Sequence, residues 1–105
     1  MKGLFEKQIT AVIKEPGQKP RVEYLFNNTL ESFQKTIGGR IETVTVFSDI
    51  TFICHAEGRI IGLPFNFELC NFDFYGPVVI VGIKEDEFVS VNMRQLDDLF
   101  LCLGL

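Results

Sequence analysis

The chain has no tryptophan, one histidine and three cysteines in 105 residues. These scarcities narrow the chemistry. There is no Cys-x-x-Cys and no cysteine pair on a tight turn, so a zinc site is not expected. An odd number of cysteines closes no disulfide framework, which points to reduced thiols in a cytoplasmic protein. No apolar stretch approaches the ~20 residues of a membrane span. The longest, Val78 to Ile83, is far too short, and Glu6 and Lys7 interrupt the opening MKGLFEKQIT before it can read as a signal peptide. Lysine and arginine are absent between Arg59 and Lys84, and the formal net charge is −4. A chain of pI about 4.9 lacks the clustered cations that a phosphate backbone requires. Direct nucleic-acid binding is therefore not expected. An acidic face docking on a basic partner is compatible with this charge.

What the chain does have is phenylalanine, 11 copies, which bring apolar area with no polar handle and suit a core. Length and an ordinary share of apolar and charged residues fit a single globular domain over 1–105. Gln8 to Lys14 reads as a strand, and Pro16-Gly17 and Pro20 make the loop that follows. In Arg21 to Phe26, Val22, Tyr24 and Phe26 alternate onto one expected face. Residues 27–39 form the clearest helix, about ten residues long. Asn28 and Glu31 suggest its capping box, Leu30, Phe33 and Ile37 its apolar face, and Gly38-Gly39 its stop. Arg40 to Phe47 and Thr51 to His55 are strands, and Ile60-Ile61 is expected to return as a short one. Val78 to Gly82 is a continuous apolar run, as in a strand buried on both faces. Lys84 to Glu87 is a charged turn, after which Phe88-Val89 pairs back or leads on. The last helix carries Leu96, Leu99, Phe100 and Leu103 on one side, Asp97 and Asp98 on the other, and an Asn92–Gln95 capping box. The pattern predicts an α+β fold: a mostly antiparallel or mixed sheet of about five to seven strands, with two helices packed on one face.

Few residues offer catalysis. Cys54 and His55 are the one Cys-His neighbour pair, but adjacent strand residues point to opposite faces. Cys70 and Cys102 could meet His55 only across the fold. Gly38-Gly39-Arg40 follows a helix, whereas a phosphate loop precedes one. The carboxylates of Glu85, Asp86 and Glu87, of Asp97 and Asp98, and of Glu68 and Asp73 read as solvated faces, not as an acid–base pair held in a cleft. No catalytic residue, metal or cofactor is expected, and the chain is read as non-enzymatic.

The stretch Leu63 to Gly76, LPFNFELCNFDFYG, holds most of the functional interest. Phe65, Phe67 and Leu69 fall on one side of a strand, with Asn66 and Glu68 on the other. Phe72 and Phe74 resume out of phase, so a turn or bulge is expected at Cys70-Asn71. Rings without interleaved cations are no single-strand stacking platform. Either they face the core, or Phe65, Phe67, Phe72, Phe74 and Tyr75 in part form a protein-binding patch flanked by Glu68 and Asp73.

Several blocks in order resemble a family of small proteins, domain of unknown function 3846. They are Glu15-Pro16-Gly17 with Pro20, Leu30 to Ile41, Cys54 with Glu57-Gly58, Gly62-Leu63-Pro64 with Asn66, and Gly76-Pro77 leading into Val78 to Gly82. The likeness covers about residues 8–100. The resemblance implies no catalytic residues. It implies a setting in Gram-positive bacteria and their phages, plasmids and conjugative elements, where small acidic proteins often inhibit host defence. The aromatic density of residues 65–75 departs from the more polar loop expected there. The expected function is an acidic binding protein that occludes a host nuclease or another nucleic-acid-binding protein, for example as an anti-CRISPR or anti-restriction factor. It would be a monomer or homodimer, steered by Glu85, Asp86, Glu87, Asp97 and Asp98 and anchored by the aromatics. The alternatives are a module for a signalling nucleotide and a small zinc protein.

Overall fold

The computed structural model describes residues 7–47 and 49–103. Its axis is the strand that the apolar run predicted. This strand, β7 (Val78–Lys84), follows β1 (Gln8–Lys14), β2 (Arg21–Asn27), α1 (Leu30–Ile37), β3 (Ile41–Phe47), β4 (Ile50–His55), β5 (Phe65–Leu69) and β6 (Phe72–Tyr75). It is followed by β8 (Glu87–Val89) and α2 (Met93–Cys102). β1 and β4 flank β7, and β2 and β3 lie outside them, in the order β2-β1-β7-β4-β3. β8 pairs with the second half of β7, while β5 and β6 make a separate two-stranded sheet. Every pairing among the described residues is antiparallel. The α+β expectation holds, in its antiparallel form.

The helices do not share a face, contrary to expectation. Side chains alternate along β7, so Val78 and Ile80 enter one core cluster and Val79 and Val81 the other. Leu96 and Leu99 of α2 close the first, together with Phe74 of the hairpin. Phe33 and Ile37 of α1 close the second. A strand buried on both faces requires a cover on each, and one helix goes to each side.

Local details also correct the sequence reading. The pairing of β1 with β2 slips between Ile9 and Ala11, where an extra β2 residue forms a bulge. Val22 and Phe26 therefore pack toward opposite clusters, and Tyr24 is left 68% exposed. α1 has eight residues and is capped by Thr29, whose side chain accepts from the Ser32 N–H. The predicted cap, Asn28, is buried and donates from Nδ2 to the Phe88 carbonyl, tying the helix entrance to β8. Leu30, placed on the apolar face, is exposed, because the helix buries only Phe33 and Ile37. Gly38 takes the left-handed stop at φ 92°. Ile60-Ile61 forms no strand. It lies in a run of turns, with Ile60 84% exposed. The reciprocal Asn92–Gln95 capping box of α2 is as predicted.

Candidate functional site

The hairpin of β5 and β6 arises from a two-residue turn. Cys70 and Asn71 are both left-handed, at φ 53° and 65°, the geometry that joins twisted antiparallel strands. The predicted break at these residues is thus the turn itself. Leu69 faces Phe72 and Phe67 faces Phe74 across it. Phe67, Phe74 and Leu69 pack on the first core cluster, with Phe74 and Phe52 rings stacked at 5.4 Å and Phe67 and Phe74 at 4.8 Å. Phe65 does not join them. A bulge at Asn66, between the pairs Phe65–Tyr75 and Phe67–Phe74, separates it from the row. It is 52% exposed and meets Tyr75 edge-on at 5.7 Å. Phe72, at the turn, is 37% exposed.

The bulge also explains a residue whose role the sequence reading missed. Asn66 was assigned to the wet side. Instead its Nδ2 donates to the carbonyls of Lys14 and Gly76, and its Oδ1 accepts from Lys14 Nζ. Among the described residues the Lys14 ammonium meets only neutral acceptors, the other being the Glu15 carbonyl, and burial pushes its pKa down. This clamp fixes the root of the hairpin to the end of β1. Leu63 fills the space beneath, and Gly76, at φ 80°, leaves room for it: a Cβ there would lie 2.7 Å from Leu63 Cδ1.

The free side of β6 borders a groove of about 300 Å³, lined by Glu42, Cys54, Arg59, Asn71, Asp73 and Tyr75 among others. Burial, with the Glu42 carboxylate as a second cause, pushes the Cys54 thiol up to about 11, so it is not a ready nucleophile. The thiol is directed at the Glu42 carbonyl, 3.7 Å away. His55 borders the same groove without meeting the thiol: its Nδ1 accepts from the Glu57 N–H and its Nε2 edge lies against Gly39. Cys70 and Cys102 are exposed, and the described residues hold no group of three His, Cys, Asp or Glu arranged for a metal ion.

Glu68 and Asp73 stand directly opposite each other across the hairpin, both exposed and neither in an ion pair among the described residues. Like charges so placed destabilise a strand pair. The remaining acidic residues are not brought to this place. Glu85, Asp86 and Glu87 lie at the far end of β7, about 20 Å along the strand from the hairpin root. Asp97 and Asp98 are exposed on α2, where Asp98 borders a separate cavity of about 320 Å³ with Asp49 and Arg94. The residues expected to form one surface thus fall into three groups.

The family model for a domain of unknown function (DUF3846) matches residues 9–102. No curated protein and no solved structure matches the chain. The chain belongs to the DUF3846 family.

Proposed function

We propose that this member of the family is a non-enzymatic protein-binding module that docks through its β5–β6 hairpin on a basic surface and blocks it. The observation that supports this most is the outer side of the hairpin. Phe65 is left half in water on the side of two carboxylates, Glu68 and Asp73, that repel each other and make no ion pair among the described residues, while Phe72, on the inner face beside Phe74, is partly exposed at the tip. A basic, partly apolar partner would relieve both defects at once. A basic surface of this kind is what a nucleic-acid-binding protein presents. In the mobile-element setting that the resemblance implies, the partner would be a host-defence nuclease of the CRISPR or restriction type, met in the cytoplasm. The carboxylates of Glu42 and Asp73 on the groove argue against the competing reading of a pocket for an anionic nucleotide.

The test is affinity capture from a bacterial lysate in low and high salt, with wild-type protein beside a Phe65→Ser/Phe72→Ser variant. Both rings are partly exposed, so the variant is expected to fold, with a modest loss of stability from the Phe72–Phe74 ring contact. A basic protein retained by the wild type, weakened by salt and lost with the variant is the expected result. Retention of the same protein by the variant would sink the proposal. With the partner in hand, reversing the charges at Glu85, Asp86 and Glu87 should slow association and leave dissociation unchanged, since those residues steer from a distance.

A further inference from the structure

We infer that the groove beside β6 receives an extended, arginine-bearing segment of the partner chain, which adds to the free edge of β6 and places its guanidinium between Glu42 and Asp73. The inference rests on the proposed protein-docking role and names the chemistry of the partner. Three observations converge on it. Among the described residues β6 pairs with β5 alone, so none of their strands lies along its other edge. The two-residue turn closes on the pair Leu69–Phe72, and by antiparallel alternation the next residue, Asp73, turns its N–H and C=O away from β5. That is the donor–acceptor pair an added strand takes up.

The edge is open only here. At Tyr75 the carbonyl is covered by Gly58, where a Cβ would come within 2.9 Å of it. The segment is therefore short, anchored over Asn71 to Asp73, and needs a side chain to hold it. The groove supplies the site for one: carboxylates from β3 and β6, and the ring of Phe72 on its wall. A planar guanidinium matches both carboxylate and ring, which an ammonium does less well. Arg59 lines the same groove and makes no ion pair among the described residues, so it opposes an incoming cation and sets a threshold for binding.

The probe is a five-residue peptide of alternating valine and arginine, compared with the same peptide carrying citrulline, followed by amide shifts in NMR titration of the whole protein. Shifts are expected at Glu42 and Asn71 to Asp73, with no binding of the citrulline peptide. Asp73→Asn and Glu42→Gln should each weaken binding by up to about five-fold, and Arg59→Ser should tighten it. All three sites are exposed, so the fold should survive these changes. Equal binding of the citrulline peptide, shifts confined to other surfaces, or an Arg59→Ser variant that binds more weakly would overturn the inference. A partner captured through Phe65 and Phe72 whose binding falls with Asp73→Asn but ignores Glu42→Gln and Arg59→Ser would overturn it too, while leaving the docking role intact.

Discussion

The central sheet and the β5–β6 hairpin are built from the same materials, alternating apolar strands closed by tight turns, and they spend them differently. In the sheet, β7 buries Val78 to Val81 completely, and its turn to β8 places Glu85 and Asp86 in water. In the hairpin the phenylalanines divide: Phe74 is 1% exposed and Phe65 52%. Opposite strands of the hairpin also carry like charges in register. Stability accounts for β7 residue by residue. It accounts for only the inner side of the hairpin, and the outer side is where a second requirement is visible.

The widest gap between the regions should appear on removing a ring from each. Phe52 is fully buried beneath the hairpin, stacked on Phe74 and tilted against Phe67. Phe52→Ala should cost about 3–5 kcal/mol in urea unfolding. Phe65→Ala should change stability by no more than about 0.5 kcal/mol. A cost at Phe65 approaching that at Phe52 would mean that the outer ring serves the fold after all. Next in size is the clamp. Asn66→Ala leaves Lys14 Nζ short of an acceptor and two carbonyls short of a donor, a loss of about 1–3 kcal/mol. Hydrogen exchange should then quicken in residues 65–75 while β7 stays protected. Uniform loosening of both regions would show that the hairpin has no separate attachment.

Those two residues also mark how far the sequence could be read. A continuous apolar run located β7, apolar periodicity located α2, and the Asn92–Gln95 spacing placed the cap of α2, because these signals are local. The bulges at Asn66 and in β2 are not local. Each is settled by the partner strand, and each flips the side chains beyond it, so Asn66 moved from the wet side to a half-buried clamp and Phe26 parted from Val22. The helices' opposite faces could have been inferred from the run Val78 to Val81, since such a strand needs covering twice. A turn or bulge at Cys70-Asn71 was predicted from the phase of the aromatics alone, and the structure makes it a turn. The opposition of Glu68 and Asp73 follows directly from that turn: a two-residue loop after Leu69 fixes the register.

A smaller effect compares the two turns. Cys70-Asn71 and Glu85-Asp86 share nearly the same left-handed dihedrals, φ 53° and 65° against 53° and 66°, and neither contains glycine. Asn71→Gly and Asp86→Gly should each stabilise by about 0.5 kcal/mol, the relief of left-handed strain exceeding the added entropy of the unfolded chain. Similar gains in thermal unfolding would show that the regions differ in their surfaces and not in their turns. A much larger gain at Asn71 would mean that strain is held at the hairpin tip.

The smallest expected change in stability decides most about function. Asp73→Asn removes half of the like-charge pair with Glu68 and keeps the shape of the side chain. The folded protein should gain a few tenths of a kcal/mol, about the size of one cross-strand charge term. That gain should shrink as salt screens the repulsion. The same change removes a carboxylate from the docking surface, so association with a basic partner should weaken. The two effects have opposite signs, and their combination separates the readings. A residue kept for the fold alone would lose stability on substitution, and an indifferent surface residue would change neither quantity. A residue at which stability rises while binding falls is held against the interest of the fold, and the hairpin's unbalanced outer face then belongs to the partner.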